Sequence, residues 1–359
     1  MHAIPTSWPL MIRRYCAQIY HYGGIHSGCN VAATMWYIFF ALLVIMDIMN
    51  ERVGGIWVAS LVLMIITLTL LVTLVLFATP CLRKAWHDGF EAVHRQGGWV
   101  ILLIFWAQIF LAAKICADDT GTGFKSSIIN SPTLWIHTAT TLVIIYPWLY
   151  VRKINVQSEC LSDHVIKVKF PGRKGQGGTA VRVAKTILNE YHAFAVIPEP
   201  NGAPGFSILV SNAGDWTSDL IKNPRDSLWI RQITSYGVVS VARMFSPVVV
   251  IATGSGIGPC MAMFTALPEH DFRILWSTRN PTLTYGNDIV DNIRRTDRNA
   301  TIVDTDLQGR QDMIVLAEEK FWETGAEAIV IISRQETTKN VVRAMEKKGI
   351  PCFGPIFDS

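Results

Sequence analysis

The sequence predicts a four-helix transmembrane region, then an antiparallel β-barrel, then an α/β domain built on a parallel sheet. Three observations carry this. Residues 30–151 hold four long runs that are uncharged or nearly so. Residues 152–245 break into short alternating segments separated by Gly, Pro and Asn. From 246 to 359 continuous apolar strands alternate with helical stretches. Residues 1–29 form a leading segment, and a chain of 359 residues has room for two or three domains.

The membrane region rests on length and charge. Asn30 to Met49 carries only Asp47, residues 54–79 carry no charge, residues 97–113 are uncharged before Lys114, and residues 132–151 are uncharged. Runs of about 17–25 apolar residues match the hydrocarbon core of a bilayer when helical. Core helices of a globular protein are the alternative, and four such runs in so short a stretch argue against it. Arg13, Arg14, Arg83, Lys84, Arg95, Arg152 and Lys153 flank one side, against Arg52 and Lys125 on the other. The positive side is cytosolic, so both termini are expected in the cytosol, with the bilayer as partner. The first residues lack an apolar core of the signal-peptide kind, so the first span is expected to target the chain.

Net charge is +4 with no basic run, which gives no reason to expect nucleic acid. The seven cysteines are scattered without a C-x-x-C pair, so neither a metal site nor a disulfide framework is expected.

In "HVIKVKF", Ile166, Val168 and Phe170 alternate with Lys167 and Lys169, the pattern of a half-buried strand. "TAVRVAK", "HAFAVIP", "FSILVSN" and "LWIRQIT" follow, and five or six such strands make an antiparallel barrel or sandwich. "PVVVIAT", "FRILWS", "ATIVDT" and "EAIVIIS" are apolar throughout, as strands buried on both faces are. Helical stretches at 258–267, 287–296, 312–323 and 337–348 separate them.

The first of these strands runs into Gly254-Ser255-Gly256, with Gly258 and Pro259 opening the helix, a G-x-G-x-x-P turn. Glycines there let the backbone approach a pyrophosphate, and the helix start favours an anion. Pro259 suits the first helical turn. A tight packing turn is the plainer reading of the glycines. The second strand ends in Trp276-Ser277-Thr278-Arg279, where a site for NADH would carry Asp or Glu for the ribose hydroxyl. Ser277, Arg279 and Arg310 suit a 2′-phosphate instead, which favours NADPH over NADH.

A barrel followed by such a domain resembles the plan of ferredoxin–NADP reductase-like flavoproteins. "YHAFAVIP", "NAGDWTSDL", "SYGVVSV", "GSGIGP", "LWSTRNP" and "QGRQDM" come in the order of the reductase half of ferric reductases and NADPH oxidases. With "PWLYVRKINVQSECLSDHVI" and "GIPCFGPIFDS", residues 30–359 resemble the TmpA-like integral membrane flavoproteins of fungi. The resemblance implies FAD on the barrel. His192, Phe194 and Ala195 would lie along the flavin, although Ala195 lacks the hydroxyl usual there. Gly214, Trp216 and Thr217 would hold its pyrophosphate by backbone N–H groups after an Asp215 cap, and Tyr236-Gly237 would meet the cofactor junction.

Two departures qualify the resemblance. The Cys-Gly pair expected beside the nicotinamide is absent, the strand leading into Ser333-Arg334-Gln335, and Ser333 offers a polar contact there. Phe357 either covers the flavin or belongs to a packed tail, and no catalytic residue is assigned. Haem is not expected, because the paired histidines of ferric reductases are missing and only His137 lies inside an expected span. The expected function is a membrane-anchored oxidoreductase passing electrons from NADPH through FAD to an unidentified acceptor. A non-catalytic redox or nucleotide sensor in fungal developmental signalling, and an accessory reductase of a secondary-metabolite pathway, are the alternatives.

Overall fold

The computed structural model describes residues 5–18, 22–49, 54–188, 190–199 and 202–355. It divides into two compact units, Tyr22–Tyr146 and a second made of Met1–His21 with Pro147–Ser359.

The first unit is helical: α2 (Tyr22–Met49), α3 (Gly55–Phe77), α4 (Pro80–Ala85), α5 (His87–Thr120), α6 (Phe124–Ile129) and α7 (Pro132–Ile145), with α1 belonging to the other unit. Among the described residues three helices, α2, α3 and α5, are long and apolar enough to cross a membrane, and only 11% of the most apolar window of α2 or α3 is covered by protein. Polar side chains join them across this apolar setting. The Tyr37 hydroxyl lies 3.0 Å from Gln108 Oε1, and Gln108 Nε2 donates to Thr67 Oγ1 at 3.2 Å, tying α2, α5 and α3. The fourth expected span differs. α7 has 14 residues, about 21 Å of helix, and passes into a 3₁₀ turn, Tyr146–Tyr150. Pro147 explains the change, since it has no N–H to continue the α-helical ladder.

In the second unit, α1 (Leu10–Gln18) precedes an antiparallel region of β1 (Val151–Asn155), β2 (Gln157–Cys160), β3 (Val165–Pro171), β4 (Thr179–Ala184), β5 (His192–Ala195), β6 (Ile197–Pro198), β7 (Gly205–Ser211), α8 (Asp215–Lys222) and β8 (Ser227–Tyr236). The strands form two separate ladders, β1-β8-β4-β5 and β2-β3-β7-β6, rather than one continuous ring. The chain changes ladder at Val156 and again at Val196, each a single buried residue. Such corners are how two sheets share one core. That core holds Ile166, Val168 and Phe170, the residues whose alternation marks the strand.

A 3₁₀ segment, Val238–Met244, leads into β9 (Val248–Thr253), α9 (Ile257–Ala266), β10 (Phe272–Thr278), α10 (Pro281–Tyr285), α11 (Asn287–Thr296), β11 (Thr301–Asp304), α12 (Thr305–Gln308), α13 (Met313–Thr324), β12 (Ala328–Ile332), α14 (Gln335–Lys347) and β13 (Cys352–Phe353). The parallel sheet has the order β11-β10-β9-β12-β13. Central strand β9 divides its side chains between two cores. Val248, Val250 and Ala252 face one, with α9 and α11, while Val249 and Ile251 face the other, with α13 and α14. This is why the strand is apolar at every position. The α1 helix joins the first of these cores, with Ala17 fully covered there. Residues 1–29 therefore do not behave as one leading segment: residues 10–18 pack with the sheet, and α2 begins at Tyr22.

Candidate nucleotide cleft and flavin surface

A cleft of about 590 Å³ opens at the C-terminal ends of the parallel strands. Open α/β sheets bind ligands at that end, where the strand order reverses. Gly254, Ser277, Arg279 and Arg310, read from separate parts of the sequence, all line it. His164, from the turn before β3, and Arg334, at the start of α14, line it as well. Its lining residues include three arginines and one histidine but no Asp or Glu. The Arg279 Nε is 3.8 Å from Asp306 Oδ1, a loose contact on an exposed side chain. Tyr285 also faces the cleft, and burial pushes its hydroxyl up to about 12, so it is no proton acceptor near neutrality. A larger cavity, about 690 Å³, lies between α1, α14 and the segment 349–355 and is lined by none of the residues assigned to the nucleotide or the flavin.

The glycine turn has two different local causes. Gly254 adopts φ +50, in the left-handed region where a side chain is strained, and lines the cleft. Its carbonyl accepts a hydrogen bond from Trp276 Nε1 at 3.0 Å, which holds the turn. Gly256 instead meets its own sheet: a Cβ there would sit 2.2 Å from the Ile332 carbonyl oxygen. A Cβ at Gly258 would meet the Leu209 side chain only at ordinary contact distance, 3.5 Å. Ser255, Gly256, Gly258 and Pro259 are not among the cleft lining residues.

Ser333 stands at the end of β12, buried, with its hydroxyl 2.5 Å from that of Thr253 at the end of β9. This bond closes the strand ends where the Cys-Gly pair was expected. Phe357 lies outside the described residues.

The residues expected along a flavin gather on the antiparallel region. His192 and Phe194 stand on the face of β5 that pairs with Val183 and Val181, the core-facing residues of β4. Their rings pack on Trp216, with centroids 4.6 and 5.8 Å away. Trp216 Nε1 is buried without a hydrogen-bond partner among the described residues, and His192 Nε2, also buried, has only Glu190 Oε1 at 3.6 Å, beyond hydrogen-bond distance. Such atoms are costly unless something outside the protein satisfies them. Ala195 lies on the opposite face of β5, beside Ala180, which in turn pairs with Ser235 next to Tyr236. Gly214 is the cap of α8, so Asp215 is its first helical residue rather than the cap. The Thr217 hydroxyl accepts from the N–H groups of Ala213 and Gly214 at 2.9 and 3.1 Å, so it organises the helix start. A Cβ at Gly214 or Gly237 would meet nothing within 4 Å, which leaves both backbones approachable.

Residues 238–359 match the family model "Adenylate-forming reductase 03009, C-terminal domain". Over 358 residues, 99% of this chain, the sequence is 40% identical to adenylate-forming reductase 03009 of Coprinopsis cinerea. The chain is a homologue of that reductase's C-terminal region. It is 39% identical over the same length to adenylate-forming reductase 06235 of that fungus, and it spans 34% of either relative. The ferredoxin reductase of carbazole 1,9a-dioxygenase is similar at a TM-score of 0.45 and 17% identity, over 58% of this chain and 70% of that one. Within this homology, the family match takes in every cleft residue except His164.

Sequence reasoning did not assign His164, Tyr285 or Arg334 to the site. Tyr285 lies in no quoted motif, and His164 lies in "PWLYVRKINVQSECLSDHVI" without a role that sets it apart. Arg334 was read only as part of a missing pair, and its charge was the available signal.

Proposed function

We propose that the chain is a membrane-anchored oxidoreductase that takes reducing equivalents from NADPH through FAD to an unidentified acceptor. The observation that carries the reading is the cleft: Gly254, Ser277, Arg279 and Arg310 converge on it, and no carboxylate lines it. Arg279 and Arg310 would hold the 2′-phosphate, and Arg310 has no other partner among the described residues. The unpartnered Trp216 Nε1 and the loosely approached His192 Nε2, with the open backbones of Gly214 and Gly237, fit a flavin on the antiparallel region. When bound, FAD supplies hydride acceptance and onward single-electron chemistry. The protein's part is to bind and orient: Trp276 fixes the turn, and the arginines select a phosphorylated ribose. The helices α2, α3 and α5 would anchor the chain, and both termini would be cytosolic with the run 132–151 as a fourth crossing.

The Ser333–Thr253 bond supports a second reading, a nucleotide or redox sensor without turnover, because it occupies the place of the expected Cys-Gly pair. Homology to a segment of adenylate-forming reductases also favours a role beside an adenylating partner. Anaerobic absorption spectra of the detergent-purified chain separate the first two readings. Flavin bands that bleach within seconds of adding NADPH are the expected result. A bound flavin that stays oxidised would leave the sensor as the better account, and the absence of flavin would overturn both as written.

A further inference from the structure

The cleft carries more positive charge than one 2′-phosphate accounts for. Arg279 follows β10 and Arg310 follows α12, whereas Arg334 lies at the start of α14, just after β12. Since β9 runs between β10 and β12, these two cationic poles stand on either side of the Gly254 turn. Of the G-x-G-x-x-P turn, only Gly254 lines the cleft. The Cα of Gly256 faces the Ile332 carbonyl rather than the cleft, so the turn borders the cleft through Gly254. An anion lying over Gly254 then needs a counter-charge from a side chain.

Arg334 is placed for that. Its Nε donates to Thr337 Oγ1 at 3.0 Å, which orients the guanidinium, and its two Nη groups have no partner among the described residues. Thr337 lines the same cleft. A guanidinium matches phosphate oxygens with two parallel donors, which an ammonium does not. We infer that Arg334, oriented by Thr337, binds the diphosphate of the dinucleotide, opposite the Arg279 and Arg310 pole that takes the 2′-phosphate. This rests on the nucleotide reading of the cleft.

The experiment is calorimetric titration of the full-length chain in detergent with three probes: 2′-AMP, ADP-ribose and NADP. The first has only the 2′-phosphate, the second only the diphosphate, the third both. Arg334→Gln is expected to weaken ADP-ribose and NADP about tenfold and leave 2′-AMP unchanged. Arg279→Gln is expected to weaken 2′-AMP and NADP and spare ADP-ribose. Arg334→Lys, which keeps the charge but loses the fork, should recover part of the loss and guards against a folding defect in the Gln variant. Unchanged ADP-ribose binding in Arg334→Gln, or an equal loss of 2′-AMP, overturns the inference while leaving the nucleotide reading intact. A wild-type chain that binds none of the probes overturns the nucleotide reading itself.

Discussion

Arg13 and Glu327 meet as a two-pronged ion pair, with Nη1–Oε2 at 2.6 Å and Nη2–Oε1 at 2.9 Å. Arg13 Nη1 also donates to the Met244 carbonyl, and Glu327 Oε2 accepts from the Ser246 N–H at 2.8 Å. Glu327 precedes β12 and Ser246 stands just before β9, so the pair fastens α1 to the end of the sheet opposite the cleft. Arg13 is only 4% exposed, so each charge depends on the other.

Arg13→Ala should therefore destabilise the sheet-bearing unit by about 3 kcal/mol, because it takes the paired guanidinium from a partly buried carboxylate and leaves it the Ser246 N–H and the nearby Arg14 charge. Thermal melting of the purified chain reads this. An unchanged midpoint would mean that α1 is docked by its apolar face alone.

The same pair gives a pH dependence. Arg13 beside it, and secondly the Ser246 N–H, hold the Glu327 carboxyl below its ordinary value, against an opposing effect of burial. A carboxylate depressed in the folded state adds stability above its unfolded value, about 4.3, and that contribution is lost as the pH falls through the folded value. Acid unfolding should then be steeper below about pH 4 in the wild type than in Glu327→Gln. Parallel acid curves for the two would remove Glu327 from the account.

The Arg231 guanidinium carbon lies 4.3 Å from the ring centroids of both Trp148 and Tyr191, in the corner of their T-shaped pair. Its Nε is buried without a hydrogen-bond partner, so the rings are its main compensation. Arg231→Ala should cost about 1–3 kcal/mol, and Arg231→Lys should recover less than half, since an ammonium stacks poorly. Chemical denaturation followed by tryptophan fluorescence would show it.

The two glycines of the turn should separate by phenotype. Gly256→Ala drives a methyl into the Ile332 carbonyl, so a loss of about 1–3 kcal/mol or outright misfolding is expected. Gly254→Ala strains a left-handed residue at a cost of about 1 kcal/mol and should chiefly weaken nucleotide binding. Equal melting points for the two variants would count against this division.

Discrimination between nicotinamide nucleotides should follow charge. The double variant Arg279→Gln with Arg310→Gln is expected to raise the Kd for NADPH about 10–100-fold and leave NADH near its original value, as loss of charge-assisted bonds would. Equal loss for both nucleotides would place the arginines elsewhere than on the 2′-phosphate.

Much of the fold was legible in the chain. Alternation at Ile166, Val168 and Phe170 and continuous apolarity at Val248–Ile251 report whether a strand is covered on one face or both, and both are local properties. The cleft was half legible, because Gly254, Ser277, Arg279 and Arg310 sit in or after predicted strand ends. His164 and Arg334 were not, since they come to the cleft from a turn of the antiparallel region and from the start of α14. The fourth apolar run shows the limit of composition. It has the hydropathy of a span, but Pro147 decides how much of it is α-helix.

By itself the sequence determined the order of membrane-like helices, antiparallel strands and parallel sheet, because hydrophobic period and turn residues act over a few positions. Only the tertiary structure decided that Gly256 serves the sheet and Gly254 the cleft. It likewise decided that Phe194 and His192 pack on Trp216, and that α1 closes on Glu327. Each of these depends on which distant backbone or side chain arrives at the same place, and no local pattern encodes that approach.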